Sequence, residues 1–459
     1  MAGGAPIDFS TNRSTSSDPN ANYAAPIALM ATLFFLIGFI TVLNDVLIPI
    51  MKEVFHFSEK ENWKLLLIQF SFFMAYGLLS IPGGLLVKAI GYKKGTIYSL
   101  FIVALGLVLF YPASEYASYG LFLLALFIVG SGFAILQVAI NPYLIALGTP
   151  ETGASRLNLG GALNSTATAI GPIFGSYMLL NECITNHADK LDTIRTLYVI
   201  IAALTVSLAA SMLFMKLPKL SIENDKDEKL EGSIFQFNHL LFGSGAIFFY
   251  VGAEVVIGSL LVVYLKSDTM GNIPEKYAAT LVAYYWGGAM LGRFLGSNVT
   301  KHIAPNKALA FVAAVAFVLI FLSMTDFMIG NHITVPVINM GEHCETGAFY
   351  FGFKSLTIPL AAVCLLLIGL FNSIMWPSIF PLGIARLGKY TSRASGLMVT
   401  MVAGGALVSL LQGVLADHYG YRYSFALCLI CYAYILFFAL KGYKPLLVAD
   451  NDQDKIRKA

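Results

Sequence analysis

Apolar residues fall along this chain in long unbroken blocks, not in the alternating pattern of a soluble sheet. Twelve blocks approach the ~20 residues that carry a helix across a bilayer. They lie at roughly 25–51, 65–88, 96–113, 119–147, 157–181, 192–215, 238–265, 277–300, 307–329, 355–386, 393–416 and 421–443. A membrane β-barrel would need ~10-residue alternating segments, and these blocks do not alternate. The pattern predicts an all-α integral membrane protein with twelve transmembrane helices. The first block is longer than a signal-peptide core and no small-residue cleavage site follows it, so it reads as an uncleaved anchor.

Two blocks are broken by an acid. Asp45 follows Asn44 in FFLIGFITVLNDVLIPIM (34–51), and Glu254 lies in GAIFFYVGAEVVIGSLLVVYL (245–265). An ionised acid in hydrocarbon costs at least ~2.5–3.5 kcal/mol. A helix keeps such a residue where it faces a polar cavity, finds a partner or takes up a proton or ion. The two blocks occupy matching places in the two halves of the chain, which points to a transporter.

The halves also repeat weakly. GLLVKAIGYKKG (84–95) matches GSNVTKHIAPNKA (296–308), with Gly91 on Ala304 at an offset of 213. LQVAINPYLIALG (136–148) matches FNSIMWPSIFPLG (371–383), with Pro142 on Pro377 at an offset of 235. The difference of 22 residues is placed between spans nine and ten, in NHITVPVINMGEHCETGAFYFGF (331–353). The expected organisation is an N-terminal tail (1–24), a six-helix bundle (25–215), a charged linker (216–237), a second six-helix bundle (238–443) and a C-terminal tail (444–459). Duplicated six-helix halves with a central site are the architecture of major-facilitator transporters.

Composition agrees and adds orientation. The chain is 57% hydrophobic and 12% charged, about half the charge of an average soluble protein. With both termini inside, 20 of the 29 Lys and Arg fall on the inner side and nine on the outer. That bias predicts cytoplasmic termini in a bacterial inner membrane. No basic stripe for nucleic acid is present. The seven His lie in loops or at span ends, and the chain has no H-x-x-x-H, G-x-S-x-G or P-loop. An enzyme and an ATP-driven pump are therefore disfavoured. Cys428 and Cys431 form C-x-x-C within apolar LCLICYAYILFF (427–438) and read as packing. Cys183 and Cys344 both fall outside, where a disulfide is chemically allowed.

The polar residues within the spans define the chemistry. Gln137 and Asn141 are four apart, as are Asn372 and Trp376, so each pair shares a helix face. Each pair precedes a proline, Pro142 or Pro377, which can bend the helix beside a cavity. Asn164, Gln69, Asn44, Tyr250 and Tyr284 complete the candidate substrate-binding set; Asp45 and Glu254 are the cation-coupling candidates. Amides donate and accept, as vicinal hydroxyls require, and an aromatic ring can cover the C–H face of a sugar. Lys93, Lys94 and Arg293 read as gating-loop or orientation charges, and no Lys or Arg is expected deep in a span. The expected ligand is a neutral polyhydroxylated molecule.

The strings LNDVLIP (43–49), FYPASE (110–115), LQVAINPY (136–143), SRLNLGGALNS (155–165), FFYVGAEVVIGS (248–259), YYWGGAMLGRF (284–294) and GKYTSRASGL (388–397) carry a resemblance. The chain resembles the fucose–galactose–glucose:cation symporter family of the major facilitator superfamily, most of all its bacterial glucose/galactose permeases. The resemblance implies a proton-coupling role for Asp45 and a place near the sugar for Asn164. It also shows departures: Gln137 stands where the fucose permeases have a glutamate, and Gly161 where they have a glutamine. The family includes proton- and sodium-coupled members, so either ion stays open.

The expected protein is a monomeric hexose importer with glucose and galactose leading. It works by cation symport and needs no cofactor beyond the ion. An uncoupled facilitator, a permease for fucose or an amino sugar, and a sugar-sensing receptor without turnover remain alternatives.

Overall fold

The computed structural model describes residues 23–58, 60–147, 153–180, 186–215, 233–344, 346, 348–387 and 390–445. The charged stretch 216–232 and Cys183 lie outside them.

Each predicted span is occupied by helix. The first half comprises α1 (Ala24–Val54), α2 (Asn62–Ile90), α3 (Tyr92–Val108) with its short continuation α4 (Phe110–Glu115), α5 (Tyr119–Ala146), α6 (Gly153–Leu179) and α7 (His187–Phe214). The second comprises α8 (Asn238–Leu265), α9 (Glu275–His302), α10 (Pro305–Ser323) with the short α11 (Asp326–Gly330), α12 (Leu360–Asn372), α13 (Met375–Gly383), α14 (Thr391–Thr400), α15 (Gly404–Ser424) and α16 (Ala426–Phe437). Apart from the 215–237 stretch and the segment before α12, successive spans are joined by short connections. Lipid offers backbone groups no partner, which is why uninterrupted apolar sequence becomes helix here.

Among the described residues, eight helices are apolar and long enough to span a membrane, and the bent pair α12–α13 makes a ninth. The long helices α6 and α9 fall short on apolarity. These two pack against each other across the halves and carry Asn164, Ser165 and Arg293. Their polarity reflects burial at the bundle interface, away from lipid. Within the first half α1 lies along α6, and α5 lies between α2 and α3; between the halves α6 meets α9, α2 meets α15, and α1 meets α8.

The equivalent spans α5 and α12–α13 differ. α5 continues to Ala146, whereas α12 stops at Asn372 and α13 resumes at Met375 with a bend of 42°. Trp376 and Pro377 therefore stand in the first turn after the break, where proline is well tolerated.

The inserted segment is not a loop. His332–Glu342 (β1) and Phe349–Pro359 (β2) form an antiparallel hairpin, with Val337 opposite Lys354. The expected start of span ten at 355 is corrected to Leu360. Leu356 and Ile358 continue the two-residue alternation of β2, with Ile358 buried and Thr357 exposed. One face of the hairpin buries Val337 and Ile358 and rests on α9. There Lys276 Nζ donates to Tyr350 Oη at 2.6 Å, and Tyr284 Oη to the Pro336 carbonyl at 2.6 Å. Phe349 meets the ring of Tyr177, on α6, edge-on at 5.6 Å, so the hairpin also touches the first half. Cys344, at its turn, is disulfide-bonded. Cys364, Cys428 and Cys431 are free and buried, which fits packing for the C-x-x-C pair. The membrane side that carries this element is called the hairpin face below, and its opposite the terminal face.

Candidate functional site

Asp45 is 4% exposed, deep in α1. It sits where both halves meet, and three side chains donate to it. Oδ1 accepts from Gln69 Nε2 at 2.9 Å and from Ser259 Oγ at 2.8 Å. Oδ2 accepts from the indole Nε1 of Trp286 at 3.2 Å. Gln69 belongs to the first half, Ser259 (α8) and Trp286 (α9) to the second. Gly258 permits this approach: a Cβ there would lie 3.3 Å from Asp45 Oδ2 and 3.2 Å from the Trp286 ring. Every partner is a neutral donor, so a full negative charge is solvated by dipoles alone. Beside it, both side-chain atoms of the fully buried Asn44 and the Oε1 of Gln69 lack hydrogen-bond partners. Buried polar atoms are normally paired, so the site holds unused acceptor capacity next to its acid.

Glu254 lies just over one helical turn earlier on α8. Tyr250 Oη donates to its Oε1 at 2.7 Å, and the guanidinium of Arg293 acts on it electrostatically. Arg293 also donates to Ser165 Oγ on α6. This corrects the expectation that no cation lies deep in a span: Arg293 points into the bundle interface, not to a loop. Lys93 does act at an end, donating to the Leu213 and Met215 carbonyls at 3.3 and 2.8 Å. It serves the carbonyl end of α7, where a cation is favourable.

A chain of hydrogen bonds supports Glu254 from behind. Tyr432 Oη donates to Asn372 Oδ1 at 2.9 Å, Asn372 Nδ2 to Tyr285 Oη at 3.0 Å, and Tyr285 Oη to the Glu254 carbonyl at 3.0 Å. Asn372 is fully buried with one bond on each of its two polar atoms, so it serves this chain of bonds first. The rings of Tyr285 and Trp286 meet edge-on at 5.1 Å, joining the Asp45 and Glu254 clusters.

The other candidates stand around these clusters. Gln137 Nε2 donates to Tyr76 Oη at 3.1 Å, and Asn164 Nδ2 to the Phe34 carbonyl at 3.0 Å. Both are partly exposed, as is Asn141 one turn from Gln137. Trp376 is half-buried and stacks on Phe380 at 5.8 Å. Tyr284 stands apart, committed to the hairpin. Ser259, which the sequence did not single out, completes the Asp45 cluster; Tyr285 and Trp286, read from the sequence as aromatics that could meet a substrate, and Arg293, read as a gating or orientation charge, complete the rest. A signal existed for two of them: Trp286 and Arg293 are seven residues apart, hence on one face of α9.

Twelve spans in two halves, joined around a buried acid, define a major-facilitator membrane transporter. The family model of the Major Facilitator Superfamily matches residues 30–341, and the chain belongs to that superfamily as a multi-pass membrane protein. It is 42% identical over 446 residues to the glucose/galactose transporter of Brucella abortus, covering 97% of this chain and 100% of that one. It is 31% identical to the L-fucose-proton symporter of Escherichia coli, covering 91% and 93%. A crystal structure of the E. coli fucose:proton symporter superposes with a TM-score of 0.65 at 30% identity, covering 91% of this chain and 98% of that one. A bacterial homologue of the human lysosomal transporter Spinster superposes at 0.64 with 13% identity, covering 92% and 97%, which speaks to the fold alone.

Proposed function

We propose that this chain imports a neutral hexose, glucose or galactose before others, by symport with a proton or sodium ion through alternating access. On this reading it lies in a bacterial inner membrane, with the hairpin face outside and both termini in the cytoplasm. The observation that carries the reading is Asp45: one carboxylate, between two bundles, bonded to both. Alternating access moves one bundle against the other around a central site. A cation arriving at Asp45 competes with Ser259 and Trp286 for its oxygens and so acts on the contact between the bundles.

Glu254 is the second coupling candidate: it touches a donor of its own helix, Tyr250, and feels the Arg293 guanidinium electrostatically, whereas Asp45 is bonded to both bundles. Gln137, Asn141 and Asn164 are the amides proposed to meet the sugar hydroxyls, with Trp376 on the ring face. A relative named for glucose and galactose at 42% identity supports the sugar.

The test is labelled-glucose uptake in vesicles with proton and sodium gradients imposed separately. Parent vesicles should accumulate glucose against its gradient with one of the two ions. Asp45→Asn should lose accumulation yet keep exchange of labelled for unlabelled sugar. Normal uphill accumulation by Asp45→Asn removes Asp45 from coupling; binding without exchange in the parent favours a receptor.

A further inference from the structure

α2 starts at Asn62, and its N-cap residue Glu61 offers it no side-chain capping bond. The acceptor comes from the other bundle. Asp417, on α15, takes the Asn62 amide on Oδ1 at 2.7 Å and the Trp63 amide on Oδ2 at 3.1 Å. A carboxylate there meets free N–H groups and the positive end of the helix dipole together. Tyr421 Oη adds a bond to Asn62 Oδ1 at 2.6 Å, and Lys52 Nζ of α1 reaches Tyr421 Oη at 3.4 Å. Gly413 lets the helices close: a Cβ there would lie 2.7 Å from Trp63 Cα. These contacts lie at the hairpin face.

The element that carries Asp417 occurs twice. GVLADHYGY (413–421) repeats GLLVKAIGY (84–92), with glycine on glycine and tyrosine on tyrosine. Gly420 (φ 77°, ψ 163°) and Gly91 (φ 86°, ψ 157°) adopt one conformation that side-chain-bearing residues avoid. The first copy ends α2 at the terminal face, and there Lys88 stands in the place of Asp417. Lys88 is exposed, and a cation opposes a helix N-terminus where an anion favours it.

We propose that Asp417 is a positioning residue of the transport cycle. Its bond to the start of α2 latches the hairpin face shut, and Lys88 leaves the repeated element at the opposite face without the same device. The latch biases the resting protein toward closure on the hairpin face, and a cycle must break it before sugar can enter there. The inference rests on the alternating-access reading for its role in transport, but the latch itself can be read without sugar.

Spin labels on Tyr116→Cys and Thr269→Cys, one exposed site per bundle at the hairpin face, report their separation by double electron–electron resonance in liposomes. Among the described residues the free cysteines, Cys364, Cys428 and Cys431, are buried and Cys344 is disulfide-bonded; a Cys183→Ser/Cys344→Ser background leaves the engineered thiols as the accessible pair. The parent should give mainly a short separation. Asp417→Ala should raise the longer-distance population about fivefold, the usual effect of losing an N-cap. Asp417→Asn, which keeps one acceptor oxygen, should raise it less. Should Asp417→Ala fail to fold, Tyr421→Phe, which removes the hydroxyl bonded to Asn62 and Lys52 but leaves the Asp417 carboxylate in place, should still shift the distances in the same direction. Unchanged distributions in the folded variants overturn the latch. Glucose uptake in the same liposomes separates the two readings: shifted distances with no uptake by the parent keep the latch and sink the sugar transporter.

Discussion

Arg293 shows how one side chain can organise a membrane interface. It faces Glu254 and donates to Ser165 in the opposite bundle. Removing the guanidinium takes from Glu254 the nearest positive charge acting on it and from Ser165 its donor. Arg293→Met should therefore lower the thermal unfolding temperature in detergent sharply, and adding Glu254→Gln should recover most of the loss. A double variant no more stable than the single one would show that the pair is not coupled. Trp286 makes the complementary case. Trp286→Phe keeps a ring at the interface but frees Asp45 Oδ2 of its donor. It should reduce ion-driven accumulation at least tenfold while sugar exchange survives; equal loss of both would mean the indole serves the sugar directly. Asp45 was legible in the sequence because an acid in an apolar block is conspicuous. Arg293 was not, because α9 already carries several polar residues and its orientation depends on a partner over 120 positions earlier.

Helices announce themselves in sequence more readily than breaks and sheets do. Each of the twelve apolar blocks holds helix, the tenth only from Leu360, and two features escaped the apolar pattern. One is that α12 breaks before Trp376 while α5 continues, although both segments carry the proline. The other is the hairpin, whose Ile, Val and Phe residues merge with the next span when only apolarity is read. Its attachment to α9 rests on the buried Val337, at the centre of β1. Val337→Gly would delete a fully buried side chain of β1 and loosen the strand that carries it. Limited proteolysis of that variant should cut within 332–359 much faster than in the parent, with the helical circular dichroism retained. Equal protection would assign the attachment to the Lys276 and Tyr284 bonds instead.

For the whole molecule, the proposed topology of twelve spans puts both ends of the chain on one side. A tag inserted at Thr346, in the hairpin turn, should be reached by antibody in intact spheroplasts, and one at the N-terminus only after permeabilisation. The reverse result would invert the orientation read from the lysines and arginines. The duplication was legible as offsets between the halves. What joins the halves was not, since Asp45 to Ser259 spans 214 positions and no local pattern records such a pairing.

On the proposed symport reading, a cation at Asp45, which bonds to both bundles, links its own binding to the arrangement of the bundles. Whatever free energy a cation contributes toward one arrangement, the sugar that prefers this arrangement must return to the cation as affinity, in equal measure. A tenfold gain in sugar affinity with ion present thus requires a tenfold gain in ion affinity with sugar present, about 1.4 kcal/mol each way. Calorimetric titration of each ligand with the other at saturation should therefore give the same factor. Asp45→Asn should reduce both factors to one together.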